Sequence, residues 1–140
     1  MVEQLTDENI HKAVSHWCSD RAEAETIYGH ISKWNVSKVT NMKDLFQDCK
    51  GGGKKVIFDP KTLTDKELNV HHYFDEDITQ WDVSQVTDMS NMFAGLKVFN
   101  QPIGIWNTKN VKNMQGMFSN AYLFNQNIND WNVSNVENMY

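Results

Sequence analysis

The sequence predicts an α/β repeat solenoid: stacked coils with short parallel strands and 3₁₀ or helical turns, closed at the front by a helical cap. Three observations predict it. Phe74, Phe99 and Phe124 recur every 25 residues, each followed seven residues later by a tryptophan (Trp81, Trp106, Trp131). Val86, Val111 and Val136, then Met89, Met114 and Met139, keep the same register. Within each unit the spacing changes from alternation around Trp to steps of three, the pattern of a short strand that passes into a tight turn. A fixed period of this size marks units that bury their apolar sides only against neighbouring units.

Residues 1–26 are predicted to form the cap. Thr6 is a predicted N-cap, with Asp7 and Glu8 in the first turn where the helix dipole favours acids. Ile10, Ala13, Val14 and Trp17 make one apolar stripe at helical spacing. A second short helix restarts at Ser19 or Asp20, runs through Ala22, Ala24 and Ile27, and stops at Gly29. An amphipathic lid of this kind covers the bare face of the first coil.

Residues 27–140 hold about four repeats. Ile31 to Met42 aligns with Ile78 to Met89 without a gap, Leu45-Phe46 matches Met92-Phe93 and Met117-Phe118, and Ile27 stands in for the opening Phe. The first two tryptophans, Trp34 and Trp81, are further apart than the later pairs, which places an insertion at about 49–72. There Gly51-Gly52-Gly53 reads as a joint, Val56-Ile57-Phe58 as a short strand, and Asp59-Pro60 as a turn. Thr64-Asp65-Lys66-Glu67 reads as the capping box of a short helix. Insertions into repeat arrays often carry specific contacts. The fourth copy stops at Asn138-Met139-Tyr140, before its Met-x-x-Met-Phe turn is complete. The expectation is an open apolar end, continued by further repeats or covered by a partner.

The 140 residues carry 13 basic and 18 acidic side chains, a formal charge of −5. That balance argues against nucleic acid and against attraction to anionic membranes, both of which need a basic face. No apolar run reaches the ~18 residues of a membrane span, and the polar start from Met1 to Asn9 is not a secretory signal. Two readings stand for Cys18 and Cys49: two buried free thiols, or one bridge stapling the N-terminal segment to the first repeat, which would need an oxidising compartment.

Stacking the copies produces columns. Asn35, Asp82, Asn107 and Asn132 form one, and Asn41, Asp88, Asn113 and Asn138 another. Short Asn and Asp side chains hydrogen-bond turn backbones, so both columns read as structural ladders. Lys33, Gln80, Ile105 and Asp130 vary along an outward column, and Ser37, Ser84, Lys109 and Ser134 along the next. Positions that change while the ladders persist are the expected binding face. No Ser/His/Asp set, paired buried carboxylates or metal-ligand spacing is present, so no catalytic residue, metal or cofactor is expected. Gly51-Gly52-Gly53-Lys54-Lys55 lacks the full phosphate-loop pattern, and His71-His72 beside Asp75, Glu76 and Asp77 reads as a solvated loop. Asn35-Val36-Ser37 and Asn132-Val133-Ser134 are formal glycosylation sequons that arise from the repeat itself.

The run from Ile78 to Phe93, with its Trp81-Asp82-Val83-Ser84 core and Met89-x-x-Met92-Phe93 ending, followed by Phe99-Asn100-Gln101, resembles the BspA-like surface-protein repeat. That repeat is a relative of the leucine-rich repeat. The resemblance covers residues 27–46 and 74–140. It implies leucine-rich-repeat-like coils, a non-catalytic role in adhesion or protein–protein contact, protein partners, and a cell-surface or secreted location. The runner-up expectation is an accessory subunit docked in a larger assembly through its open C-terminal end or its insertion.

Overall fold

The computed structural model describes residues 2–49 and 74–139. The readings at Gly51 to Lys55, Val56 to Pro60, the box Thr64 to Glu67 and His71-His72 lie outside the described residues, as does Tyr140.

Two helices open the chain, α1 (Ile10–Ser19) and α2 (Arg21–Tyr28). A turn at residues 7–9 precedes α1, and there the Thr6 Oγ1 accepts the Glu8 N–H at 3.2 Å. Asp20 ends α1 and caps α2, its Oδ1 accepting the Glu23 N–H at 3.1 Å. Gly29, at φ 82°, stops α2, its N–H reaching the Glu25 carbonyl at 2.8 Å. α1 buries Ile10, Ala13, Val14 and Trp17. The Trp17 ring meets Trp34, the first tryptophan of the repeats, edge-on at 6.0 Å.

The predicted α/β repeat solenoid, with leucine-rich-repeat-like coils and short parallel strands, is not what forms. Among the described residues there is no β-strand and no sheet, and α1 and α2 are the only α-helices. The copies touch instead at isolated parallel bridges: Asn41 with Asp88, Asp88 with Asn113, and Asn113 with Asn138. The reason is local. The Trp-x-Val alternation that reads as a strand lies in a chain of reverse turns. The Trp34 N–H bonds the Ile31 carbonyl at 3.2 Å and the Val39 N–H bonds the Val36 carbonyl at 2.9 Å, and copies two to four repeat the pair. Two residues beyond the bridging methionine pattern, Asp44, Asn91 and Gly116 take positive φ and bend the chain away. One residue per copy is left extended enough to bridge.

The copies nevertheless pack in the 25-residue register. Phe46, Phe93 and Phe118 stack at 5.5 and 5.6 Å, and Phe74, Phe99 and Phe124 at 6.0 Å each. The two columns interlock, with Phe93 against Phe99 at 4.5 Å. Full burial of one such ring stabilises by roughly 1.5–3 kcal/mol. The methionines fill the space between: Met42, Met89 and Met92 are wholly buried. A disulfide joins Cys18 of α1 to Cys49, in the 3₁₀ turn Gln47–Cys49 that ends the first copy. It stands in place of the two free thiols and ties the helices to the repeats.

Candidate functional site: the repeat faces and the end of the stack

Each copy is built by side chains that finish its turns. Asn35, Asp82, Asn107 and Asn132 each accept the N–H two residues on, from Ser37, Ser84, Lys109 and Ser134, at 2.9–3.1 Å. Ser37 and Ser134 also donate their hydroxyls to the same oxygen, at 2.6 and 2.7 Å. Asn41, Asp88 and Asn113 do the same for Lys43, Ser90 and Gln115. The side chains of these columns therefore close turns within their own copy, while the links between copies at Asn41, Asp88, Asn113 and Asn138 are made by backbone. The Ser84 hydroxyl and N–H hold the Asp82 carboxyl below its ordinary value, against a smaller upward push from burial.

Other side chains carry the links between copies. The indole N–H of Trp81, Trp106 and Trp131 donates to the carbonyl of Ile31, Ile78 and Ile103 in the copy before, at 2.8, 3.2 and 3.0 Å. Asp75 accepts the Asn100 N–H at 2.9 Å, and Asn100 accepts the Asn125 N–H at the same distance. Gln101 and Gln126 donate across the same step. Asn110 and Asn135 donate to the carbonyls of Ser84 and Lys109. The Phe-Asn-Gln recurrence is the sequence signal for the second of these ladders. Nothing in the sequence marks the indole bonds beyond the recurrence of Trp itself.

The predicted binding face is outward. Lys33, Gln80, Ile105 and Asp130 are exposed and share one register position, just before the buried tryptophans. Ile105 is 71 % exposed. In the neighbouring column Lys109 and Ser134 are exposed and Ser37 and Ser84 half-buried.

The two ends of the stack differ. At the front, the Asp7 carboxylate accepts the N–H groups of Thr40 and Asn41 at 2.7 and 3.1 Å and the Thr40 hydroxyl at 2.6 Å. Gly29 supplies the carbonyl for the Trp34 indole at 2.8 Å. At the far end an apolar groove of about 830 Å³ is lined by Met114, Met117, Phe118, Ile128, Trp131 and Met139, among others. Val133 and Met139 are 44 % and 53 % exposed there. Among the described residues no group of three or more His, Cys, Asp or Glu side chains is placed to hold a metal ion.

Fold and faces together define a repeat protein whose copies are joined by side-chain and backbone ladders. The chain belongs to the family described as "Mycoplasma protein of unknown function, DUF285", which it matches over residues 9–56 and 64–140. No curated protein and no solved structure matches it.

Proposed function

We propose that this chain is a non-catalytic protein-interaction module of the BspA-like repeat type, the kind used for adhesion, and that its lateral face is the contact surface. The observation that carries the reading is the column of Lys33, Gln80, Ile105 and Asp130: exposed, different in chemistry from copy to copy, and mounted on backbones that the ladders hold in register. A large apolar side chain left open between polar neighbours is a usual anchor for a protein partner. Partners are proteins, and the resemblance points to a cell-surface or secreted setting. The test is binding by the wild-type chain and by Lys33→Ala/Gln80→Ala/Lys109→Ala, with Ile105→Asp beside it. Loss of the partner at unchanged melting temperature supports the reading. Full binding by both variants removes it.

A second reading has its own support. The apolar groove lined by Met114, Phe118, Trp131 and Met139 supports contact through that face, with further repeats or with a docked partner.

A further inference from the structure

The sequons Asn35-Val36-Ser37 and Asn132-Val133-Ser134 arise from the repeat, and the fold leaves their asparagines open to chemistry. Asn35 and Asn132 are both exposed. Each is held by its oxygen alone. The Asn35 Oδ1 accepts the Ser37 N–H at 3.0 Å and the Ser37 hydroxyl at 2.6 Å, and the Asn132 Oδ1 accepts those of Ser134 at 2.9 and 2.7 Å. A backbone N–H can bond only the oxygen of an amide, so the orientation of both groups is fixed. Among the described residues neither Nδ2 makes a hydrogen bond. Other asparagines of the stack differ: Asn110 and Asn135 use their Nδ2 groups on the Ser84 and Lys109 carbonyls of the preceding copy. A substituent on the Nδ2 of Asn35 or Asn132 therefore breaks no link between copies. Nor does exposure of this column depend on a missing neighbour. Asp82 and Asn107, with a copy on either side, are exposed as well.

We propose that Asn35 and Asn132 are glycan attachment sites, modified at Nδ2 by a transferase of an oxidising compartment. The donor is a sugar activated at its anomeric carbon by a phosphate or pyrophosphate group. In the transfer, Nδ2 forms a bond to the anomeric carbon, the bond from that carbon to the phosphate oxygen breaks, and the phosphate leaves with the electron pair. Nδ2 gives up one proton to a basic group of the transferase. An amide nitrogen is a weak nucleophile because its lone pair is shared with the carbonyl. Donors at Oδ1 take up charge on the oxygen and ease removal of the Nδ2 proton. The serine hydroxyl supplies that contact at both sites. The middle copies each lack one partner: copy two has Asp82, with no amide nitrogen, and copy three has Lys109 where the hydroxyl would be. The disulfide between Cys18 and Cys49 is a separate observation in favour, since such bonds persist in the kind of compartment where Asn-x-Ser sequences are modified. The proposal is independent of the lateral face and of the groove.

The test is mass spectrometry of the chain isolated from the cells that make it. The peptides carrying Asn35, Asn107 and Asn132 are measured before and after an amidase that releases Asn-linked glycans and leaves Asp. The expected result is added sugar mass on the Asn35 and Asn132 peptides, removed by the amidase with conversion of each Asn to Asp, and none on the Asn107 peptide. Bare Asn35 and Asn132 overturn the proposal, as does equal modification of Asn107. Sugar at one site alone overturns the assignment of the other. Variants made in the same cells test the role of the hydroxyl. Ser37→Ala and Ser134→Ala should each lose the sugar at its own site, and Asp82→Asn should gain one at position 82. Sugar kept in both serine variants, or none gained at position 82, overturns the account. The gain variant keeps the test decisive if a serine variant fails to fold.

Discussion

Asp7 accepts the backbone N–H of Thr40 at 2.7 Å and that of Asn41 at 3.1 Å. In the next copy the same two donors, Thr87 and Asp88, go to the Thr40 carbonyl at 2.7 and 3.4 Å. Copies three and four repeat this with the Thr87 and Lys112 carbonyls. One carboxylate therefore does at the front of the stack what a neighbouring copy does everywhere else. Gly29 does the same for the Trp34 indole.

This relationship makes stability depend on acid. Burial pushes the Asp7 carboxyl up, but the Thr40 hydroxyl, the Thr40 and Asn41 N–H groups and the charge of His11 together hold it below 3.8. Asp77 is held below 3.8 by the hydroxyl and N–H of Thr79, and Asp82 is lowered through Ser84. A carboxyl lowered on folding contributes stability that is complete above its unfolded value and lost as pH falls through its folded value. The urea midpoint should hold between pH 7 and 5 and fall below about pH 4. Asp7→Ala should lower stability at neutral pH by about 0.5–1.5 kcal/mol, the net worth of hydrogen bonds at an exposed site, and flatten the acid limb. An unchanged acid limb in Asp7→Ala would count against the cap.

Trp106 is 4 % exposed and its indole bonds the Ile78 carbonyl. Trp106→Phe keeps most of the apolar volume and removes one of two donors to the Ile78 carbonyl, which keeps the Trp81 N–H at 3.1 Å. The expected loss is about 0.5–1.5 kcal/mol in chemical denaturation. Trp106→Ala adds a cavity and should cost about 3–5 kcal/mol.

Gly104 of copy three packs against the backbone of copy four. A Cβ built there would lie 2.2 Å from the carbonyl oxygen of Asn127, a backbone atom that cannot swing aside. Gly104→Ala should therefore separate the two copies. The fluorescence of Trp131 should shift toward a wetter environment and the melting temperature should fall, where a harmless methyl would change neither.

The disulfide between Cys18 and Cys49 spans 31 residues and holds α1 on the first copy. Reduction should lower stability by about 2–4 kcal/mol, read as a fall in melting temperature with reductant. Cys18→Ser/Cys49→Ser should melt at the reduced temperature with or without reductant. A bond of this kind persists in oxidising compartments, in keeping with the proposed surface setting.

The register of the repeat is legible in the sequence because Phe, Trp and Met are large, and a column of large side chains must be buried somewhere. Ile10, Ala13, Val14 and Trp17 likewise lie buried on one face of α1. The predicted strands do not form, and Trp81 and Val83 show why. Both are buried, two residues apart, as a strand would have them. Yet Asp82 between them accepts the Ser84 N–H, and the Val86 N–H turns back to the Val83 carbonyl at 3.0 Å. A two-residue period over so short a run is shared by strands and by side-chain-closed turns, and the Asn or Asp in the middle decides for the turn. The lateral columns are placed by the same register.

The central claim is that the copies form one hydrogen-bonded stack, closed in front by Asp7. Amide hydrogen exchange, resolved by residue, tests it most directly. The account predicts slow exchange at Met42, Met89, Phe93 and Gly95, each of which donates to the next copy. Fast exchange at Phe93 and Gly95 would contradict it, since the ladder between copies would then not exist in solution.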